Sequence, residues 1–189
     1  MKMKKQVLFI QGAGEGAYEE DEKLVEALRG ALGSGYGVLY PRMPEEESSG
    51  YEEWKAQIAR ELAALDGEVI LVAHSVGSSI LLKYLSEKRI ENPLAGIFLL
   101  AAPYWGTGGW QMEEFTFDEH QASQVLKEIP IFFYHSRDDD IVPFTHLAKH
   151  REKFPHANFR EFEGRGHQFK EDLSDVAADI MNLQASYPS

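Results

Sequence analysis

Apolar and polar positions along this chain switch repeatedly between two periods. Short apolar runs fall at 6–10 (QVLFI), 36–40 (YGVLY), 69–73 (VILVA), 97–101 (IFLLA) and 131–135 (IFFYH). These five are mostly apolar on both faces, which predicts strands covered by helices on each side of a parallel sheet. A sixth run at 158–162 (NFREF) mixes Phe159 and Phe162 with charges and reads as an edge strand. Between the runs the spacing becomes three and four. Leu24, Val25, Leu28, Ala31 and Leu32 predict a helix over 21–32 that Gly33 stops. Tyr51, Trp54, Ile58, Leu62 and Leu65 predict one over 51–65, and Ser49-Gly50-Tyr51-Glu52 reads as its capping box. Ile80, Leu81, Tyr84 and Leu85 mark a helix over 76–88. Pro143 suits the first turn of a helix running to about Phe154. Leu173, Val176, Ala177, Ile180 and Leu183 predict a final one.

Strict alternation of strand and helix implies an α/β fold: a parallel sheet with right-handed crossovers and helices on both faces. No repeat and no linker interrupts it, so residues 1–189 are expected to form a single domain. Residues 45–50 (EEESSG) read as a polar, solvated loop. The segment 102–128 departs from the pattern. It is rich in glycine and aromatic residues (Tyr104, Trp105, Trp110, Phe115, Phe117) where a crossover helix belongs. It predicts an irregular crossover or a small cap over a site.

Composition narrows the function classes. The chain is 43% apolar with 11 Phe, 8 Tyr and 3 Trp, too hydrophobic for disorder. It has no Cys, which excludes a disulfide framework, a thiolate metal site and a Cys nucleophile. The formal charge of −12 argues against nucleic acid or an anionic membrane as partner. Only four apolar residues, Val7 to Ile10, precede Gln11-Gly12, short of a secretory signal, and no run approaches a membrane span. A cytoplasmic location is the expectation.

The candidate chemistry starts where strand 69–73 runs into Ala73-His74-Ser75-Val76-Gly77 and a helix follows. This is the small-x-Ser-x-Gly form of a nucleophile elbow. Small residues two before and two after the Ser are needed because strand and helix nearly touch across the turn. An ordinary βα loop is the plain alternative. A Ser hydroxyl is a poor nucleophile until a base takes its proton, and that base is usually a His steered by a carboxylate.

Seven His are available, at 74, 120, 135, 146, 150, 156 and 167. His74 adjoins Ser75, and the tight turn should aim its ring elsewhere, into a packing or supporting role. His146 and His150 have metal-holding i, i+4 spacing, but no HExxH pattern, so a solvated helix face is expected. His156 precedes the last strand, at the wrong end of a parallel sheet. His167 follows that strand in Glu163-Gly164-Arg165-Gly166-His167, where two glycines free the loop to swing an imidazole over the sheet edge. His167 is the base this reading selects. The carboxylate is expected from Asp138, Asp139 or Asp140, after strand 131–135, and local physics does not choose among them. They could also serve a helix-capping turn before Pro143.

Acyl transfer needs donors for an oxyanion. The first strand ends in Gln11-Gly12-Ala13-Gly14-Glu15-Gly16, a loop whose backbone amides can approach a ligand closely. A dinucleotide fingerprint is the alternative. It fails at Ala17, where the last glycine of G-x-G-x-x-G belongs.

With these motifs in order, the chain resembles the α/β-hydrolase superfamily, from Val7 to about Leu183. More narrowly it is similar to small single-domain serine hydrolases of the retinoblastoma-binding protein nine type. The motifs are the loop after the first strand, the elbow at Ser75, Asp-x-x-Val-Pro at 139–143, and Gly-His at 166–167. The family pattern selects Asp139 and implies a triad of Ser75, Asp139 and His167. It implies a six-stranded, mainly parallel sheet in the order 2-1-3-4-5-6, and oxyanion donors in the backbone amides of Ala13 and Val76. One departure is Gln11, where many relatives carry His, a difference that bears on loop shape.

The resulting expectation is a serine hydrolase cleaving a carboxylic ester, thioester or amide of a small-molecule acyl substrate, with no metal and no organic cofactor. Tyr104, Trp105 and Trp110 are expected to wall the acyl pocket. The rival expectation is a non-catalytic binding module of the same fold that uses the aromatic stretch 103–117 as its contact surface.

Overall fold

A computed structural model describes residues 4–44 and 50–183. Twelve principal elements alternate along the chain: β1 (Lys5–Ile10), α1 (Ala17–Leu32), β2 (Tyr36–Leu39), α2 (Tyr51–Ala63), β3 (Val69–His74), α3 (Val76–Glu87), β4 (Leu94–Leu100), α4 (Glu119–Val125), β5 (Ile131–Ser136), α5 (Thr145–Lys153), β6 (Asn158–Phe162) and α6 (Ser174–Asn182). The strands form one sheet in the order β2-β1-β3-β4-β5-β6, with every neighbouring pair parallel.

Period-two alternation sends successive strand residues to opposite layers. Val7, Phe9, Ile70, Val72, Phe98 and Tyr134 pack under α1 and α6. Leu8, Ile10, Leu71, Ile97, Leu99 and Phe133 pack under α2, α3, α4 and α5. Each fully buried aliphatic or aromatic side chain contributes roughly 1.5–3 kcal/mol. The central strands β3 and β5 are buried at every position, whereas β6 at the edge of the sheet has only exposed and half-buried residues.

β1 sits between β2 and β3, so its crossover and that of β3 leave on opposite faces. The carboxyl ends of β1 and β3 therefore open onto a switch point, the position where open α/β sheets bind ligands.

Local boundaries differ from the sequence expectation at a few points. α1 starts four residues earlier, behind Gly16, whose φ of 76° turns the chain into the helix. β4 begins at Leu94, three residues earlier than its apolar core. Helix α2 is capped at Gly50 by Glu53, whose carboxylate accepts the Gly50 N–H at 2.8 Å, in place of a Ser49–Glu52 box. Ser49 and the rest of the polar stretch 45–49 lie outside the described residues. Among the described residues, no helix is long and apolar enough to cross a membrane.

Candidate active site

Four loops meet at the carboxyl edge of the sheet, after β1, β3, β5 and β6. Ser75 is the hinge between β3 and α3, and its φ of 51° lies in the left-handed region. A non-glycine residue held there costs of order 1–3 kcal/mol and needs surroundings that impose it. The Ser75 N–H donates to Leu100 O at 2.8 Å, and Ser78 Oγ donates to Ala73 O at 2.9 Å, tying both sides of the turn. Gly77 must lack a side chain, because a Cβ there would come within 2.0 Å of Gln11 O. Both small positions of the motif are thus explained by contact: Ala73 is fully buried in the sheet, and Gly77 lies against the β1 loop.

The three aspartates after β5 have three different environments. Asp139 presents a fully buried carboxylate whose Oδ1 and Oδ2 lie 3.1 and 2.9 Å from His167 Nδ1. Its Oδ1 also accepts the N–H groups of Ile141 (2.9 Å) and Val142 (2.8 Å). Burial works to raise its proton affinity, but hydrogen bonds from His135 and His167 and the Val142 N–H hold it well below the usual carboxylate range. Asp138 is exposed and braces the His167 loop, accepting from Ser136 Oγ and from Gly166 N–H at 3.1 Å. Asp140 is exposed. The structure thus brings Asp139 to His167 and leaves its neighbours outside.

His167 is carried past Gly164 and Gly166, both at positive φ, as the loop reading anticipates. A left-handed turn follows, with φ of 50°, 48° and 55° at Phe169, Lys170 and Glu171. Each such non-glycine residue costs about 1–2 kcal/mol. The burial of Phe169 in the α1–α6 layer offsets only part of that. His167 Nε2 and Ser75 Oγ have no hydrogen-bond partner among the described residues, so the structure pairs His167 with Asp139 and shows no hydrogen bond from His167 to Ser75.

The β1 loop lies across from this pair. The Ala13 and Val76 N–H groups have no protein acceptor among the described residues. Gln11 defines the loop's shape: its buried Oε1 accepts Met43 N–H at 2.9 Å, and its Nε2 donates to Gly12 O at 3.2 Å. A cleft of about 440 Å³ opens beside Ala13, walled by Tyr18, Met43, Pro44 and Trp54, with Glu15, Glu19 and Arg42 at its polar parts. Tyr104, Trp105 and Trp110 are not among its walls.

Segment 102–128 is an irregular crossover with a short 3-10 turn at Glu113–Phe115 and helix α4. Tyr104 to Trp110 fold into a tight loop, with Trp110 N–H donating to Tyr104 O at 2.9 Å. Tyr104 and Trp105 are buried and Trp110 is half-buried against His146, so these rings pack inward and do not display a contact surface. His146 and His150 correct the expectation of a solvated helix face, since both are buried. His146 Nδ1 accepts the Tyr104 N–H at 2.9 Å, and burial pushes its proton affinity down to about 4. His150 reaches Ala102 O at 3.1 Å and Glu119 Oε2 at 3.3 Å. The pair is the clamp that holds the crossover to α5.

Two further groups escaped the sequence reading. Asp21 is buried in the α1 interface, where its Oδ2 accepts Gly12 N–H at 2.7 Å and its carboxylate faces His74. Its signal was present: it stands three and four residues before Leu24 and Val25, an acid on the apolar stripe. A buried carboxylate without a partner costs far more than the stripe gains per residue, so its place there demands a partner. His135 closes an otherwise apolar strand. Its Nε2 lies 2.9 Å from Val142 O and 3.3 Å from Asp139 Oδ2, and its buried Nδ1 has no partner among the described residues.

The strand order, the strand–elbow–helix at Ser75 and the layers on both faces define an α/β-hydrolase fold. Over residues 42–172 the chain matches the family model described as "Serine hydrolase". It belongs to the serine hydrolase family and is a carboxylesterase-like hydrolytic enzyme. It is 30% identical over 160 residues to YdeN of Bacillus subtilis (strain 168), covering 82% of this chain and 83% of YdeN. The crystal structure of the ydeN gene product superposes with a TM-score of 0.71 at 21% identity, over 96% of this chain and 100% of that one. A meta-cleavage product hydrolase from Pseudomonas fluorescens IP01 gives 0.74 at 14% identity, over 96% and 92%. These two superpositions are likenesses of fold.

Proposed function

We propose that this serine hydrolase cleaves a carboxylic ester, thioester or amide through a Ser75–His167–Asp139 triad and an acyl-enzyme. Ser75 Oγ attacks the carbonyl carbon while its proton passes to His167 Nε2. The carbonyl oxygen takes the negative charge and is held by the N–H groups of Ala13 and Val76. The bond to the leaving group then breaks, and the leaving group departs with the proton from His167. Water repeats the sequence against the acyl-Ser75 ester, giving up its proton to His167 and releasing the acid. Asp139 fixes His167 with Nδ1 protonated and stabilises the imidazolium.

The observation that carries this reading is the pairing of both Asp139 oxygens with His167 Nδ1, which leaves Nε2 without a hydrogen-bond partner among the described residues. A positioned base contributes roughly 10²–10⁴ in rate. Each oxyanion donor contributes about 10²–10³. The cleft beside Ala13 has the volume of a small ligand site and walls of mixed polarity; of the residues given a role here, Ala13 alone lines it.

A fluorophosphonate probe tests the assignment. It should label the native chain and leave Ser75→Ala unlabelled, and short p-nitrophenyl esters should be turned over by the native chain alone. Equal labelling of Ser75→Ala would remove Ser75 from the role.

A further inference from the structure

His74 and Asp21 form a buried pair directly beneath the site, and the reaction sequence above uses neither. Both imidazole nitrogens of His74 face acceptors. Nδ1 lies 2.8 and 2.9 Å from the two carboxylate oxygens of Asp21, and Nε2 lies 3.0 Å from the backbone oxygen of His167. A carbonyl only accepts, so Nε2 carries a proton. The Asp21 oxygens already accept Gly12 N–H at 2.7 Å and Gln168 Nε2 at 3.2 Å, the pattern of an ionised carboxylate. Nδ1 therefore carries the second proton.

The surroundings agree. Burial opposes both charges, but their mutual attraction and hydrogen bonds hold Asp21 below its ordinary range and His74 above its own. Asp139 adds attraction from the loop after β5. The His167 ring lies 4.7 Å away, and the Phe169 ring 6.4 Å away, edge-on. Asp21 in turn faces Tyr40 at the end of β2.

We propose that His74 is a permanent imidazolium that, with Asp21, ties the oxyanion loop to the loop carrying the base, and so serves as a positioning residue for His167. The chain of contacts is continuous: Gly12 N–H to Asp21, Asp21 to His74, His74 to the His167 carbonyl. Gly12 adjoins this contact, since a Cβ there would lie in ordinary contact, 3.5 Å, with both Asp21 Oδ2 and His74 Nδ1, and in tight contact, 3.3 Å, with Ser75 Cβ. His167 sits on a loop with two positive-φ glycines before it and a left-handed turn after it, braced before the histidine by Asp138 and Ser136 and at its ring by Asp139. A bond to its own carbonyl is the most direct restraint that loop could have. The positioning role rests on the triad reading; the protonation state of His74 does not.

The test has two arms. In the ¹⁵N-labelled full-length protein, long-range ¹H–¹⁵N spectra, assigned by loss of the signal in H74Q, should show both His74 nitrogens protonated and unmoved from about pH 5.5 to 8.5, across the ordinary histidine range. One pyridine-like nitrogen at neutral pH overturns the imidazolium. In kinetics, H74F, assayed well below its melting temperature because it leaves Asp21 buried without its partner, should lower kcat by about 10–100-fold, the scale of a small misplacement of catalytic groups, with KM within about twofold. H74Q, whose amide can still donate to the His167 carbonyl, should recover part of that loss. Equal kcat in H74F and the parent, or kcat falling only in step with unfolding, overturns the positioning role. Absence of Ser75-dependent labelling in the parent would instead bring down the triad reading, and the spectra would still report on His74.

Discussion

Gly77 lies so close to the Gln11 carbonyl that a Cβ on it would come within 2.0 Å of that oxygen. This contact joins α3 to the loop after β1, and so joins the residue carrying the hydroxyl to the residues offering backbone N–H groups. Strand and helix can approach this closely only because one of them has no side chain.

Gly77→Ala should therefore move the β1 loop and α3 apart. Overpacking against backbone costs on the order of 1–3 kcal/mol. For a chain of this length that is a fall in Tm of roughly 2–12 °C. Ester turnover should fall more than stability does, because the displaced groups include the N–H groups of Ala13 and Val76, the proposed oxyanion donors. Thermal melts and initial rates on the same preparation check this; a variant matching the parent in both would contradict it.

Asp139→Asn should keep the fold, since an amide oxygen can still accept from Ile141 and Val142, but should present the wrong hydrogen-bonding partner to His167 Nδ1. The expected fall in kcat is roughly 10⁴-fold, the size seen for the equivalent change in a serine protease, with KM little altered. Asp138→Asn, which touches the loop backbone and not the imidazole, should lose less than about tenfold. If the two variants exchanged these outcomes, Asp138 would be the acid.

His146 makes stability depend on pH in a separate window. Its folded-state proton affinity is lowered to about 4 from an ordinary 6.5, because burial and its neighbours His150 and His135 disfavour the charge. A group shifted down contributes stability that is complete above pH 6.5 and is lost as the pH falls toward 4, where the unfolded chain takes up a proton that the folded chain refuses. The shift corresponds to about 3 kcal/mol. Asp139, also shifted down, loses its contribution only below its ordinary 3.8, so the two windows do not overlap. Urea midpoints at pH 7 and pH 4.5 should differ in the parent and differ much less in His146→Gln, whose amide oxygen can still accept from Tyr104 N–H. Equal pH dependence in both proteins would show that His146 is not the source.

The layered sheet was legible because each element records its own surroundings locally. Val7 to Ile10 and Val69 to Ala73 are apolar on both faces because both faces are covered, and Leu24, Val25 and Leu28 repeat at helical spacing because one face is. The elbow at Ser75 was legible for a similar reason: its small residues answer a steric demand within five positions. The His146–His150 pair was misread because i, i+4 spacing says that two side chains share a face and not what lies against it. Here the crossover 102–119 lies against it, through Tyr104, Ala102 and Glu119.

Taken by itself, the chain determined its strands, its helices, their order and the short list of groups able to carry a proton, since all of these follow from spacing between near neighbours. Among three adjacent acids spacing alone left the choice open and the family resemblance pointed to Asp139; only the folded molecule decided that an aspartate on the first helix pairs with a histidine 53 residues away. That pairing depends on which strand ends stand side by side and how far each loop reaches. Such distances arise from the packing of the whole sheet, and no local run of residues encodes them.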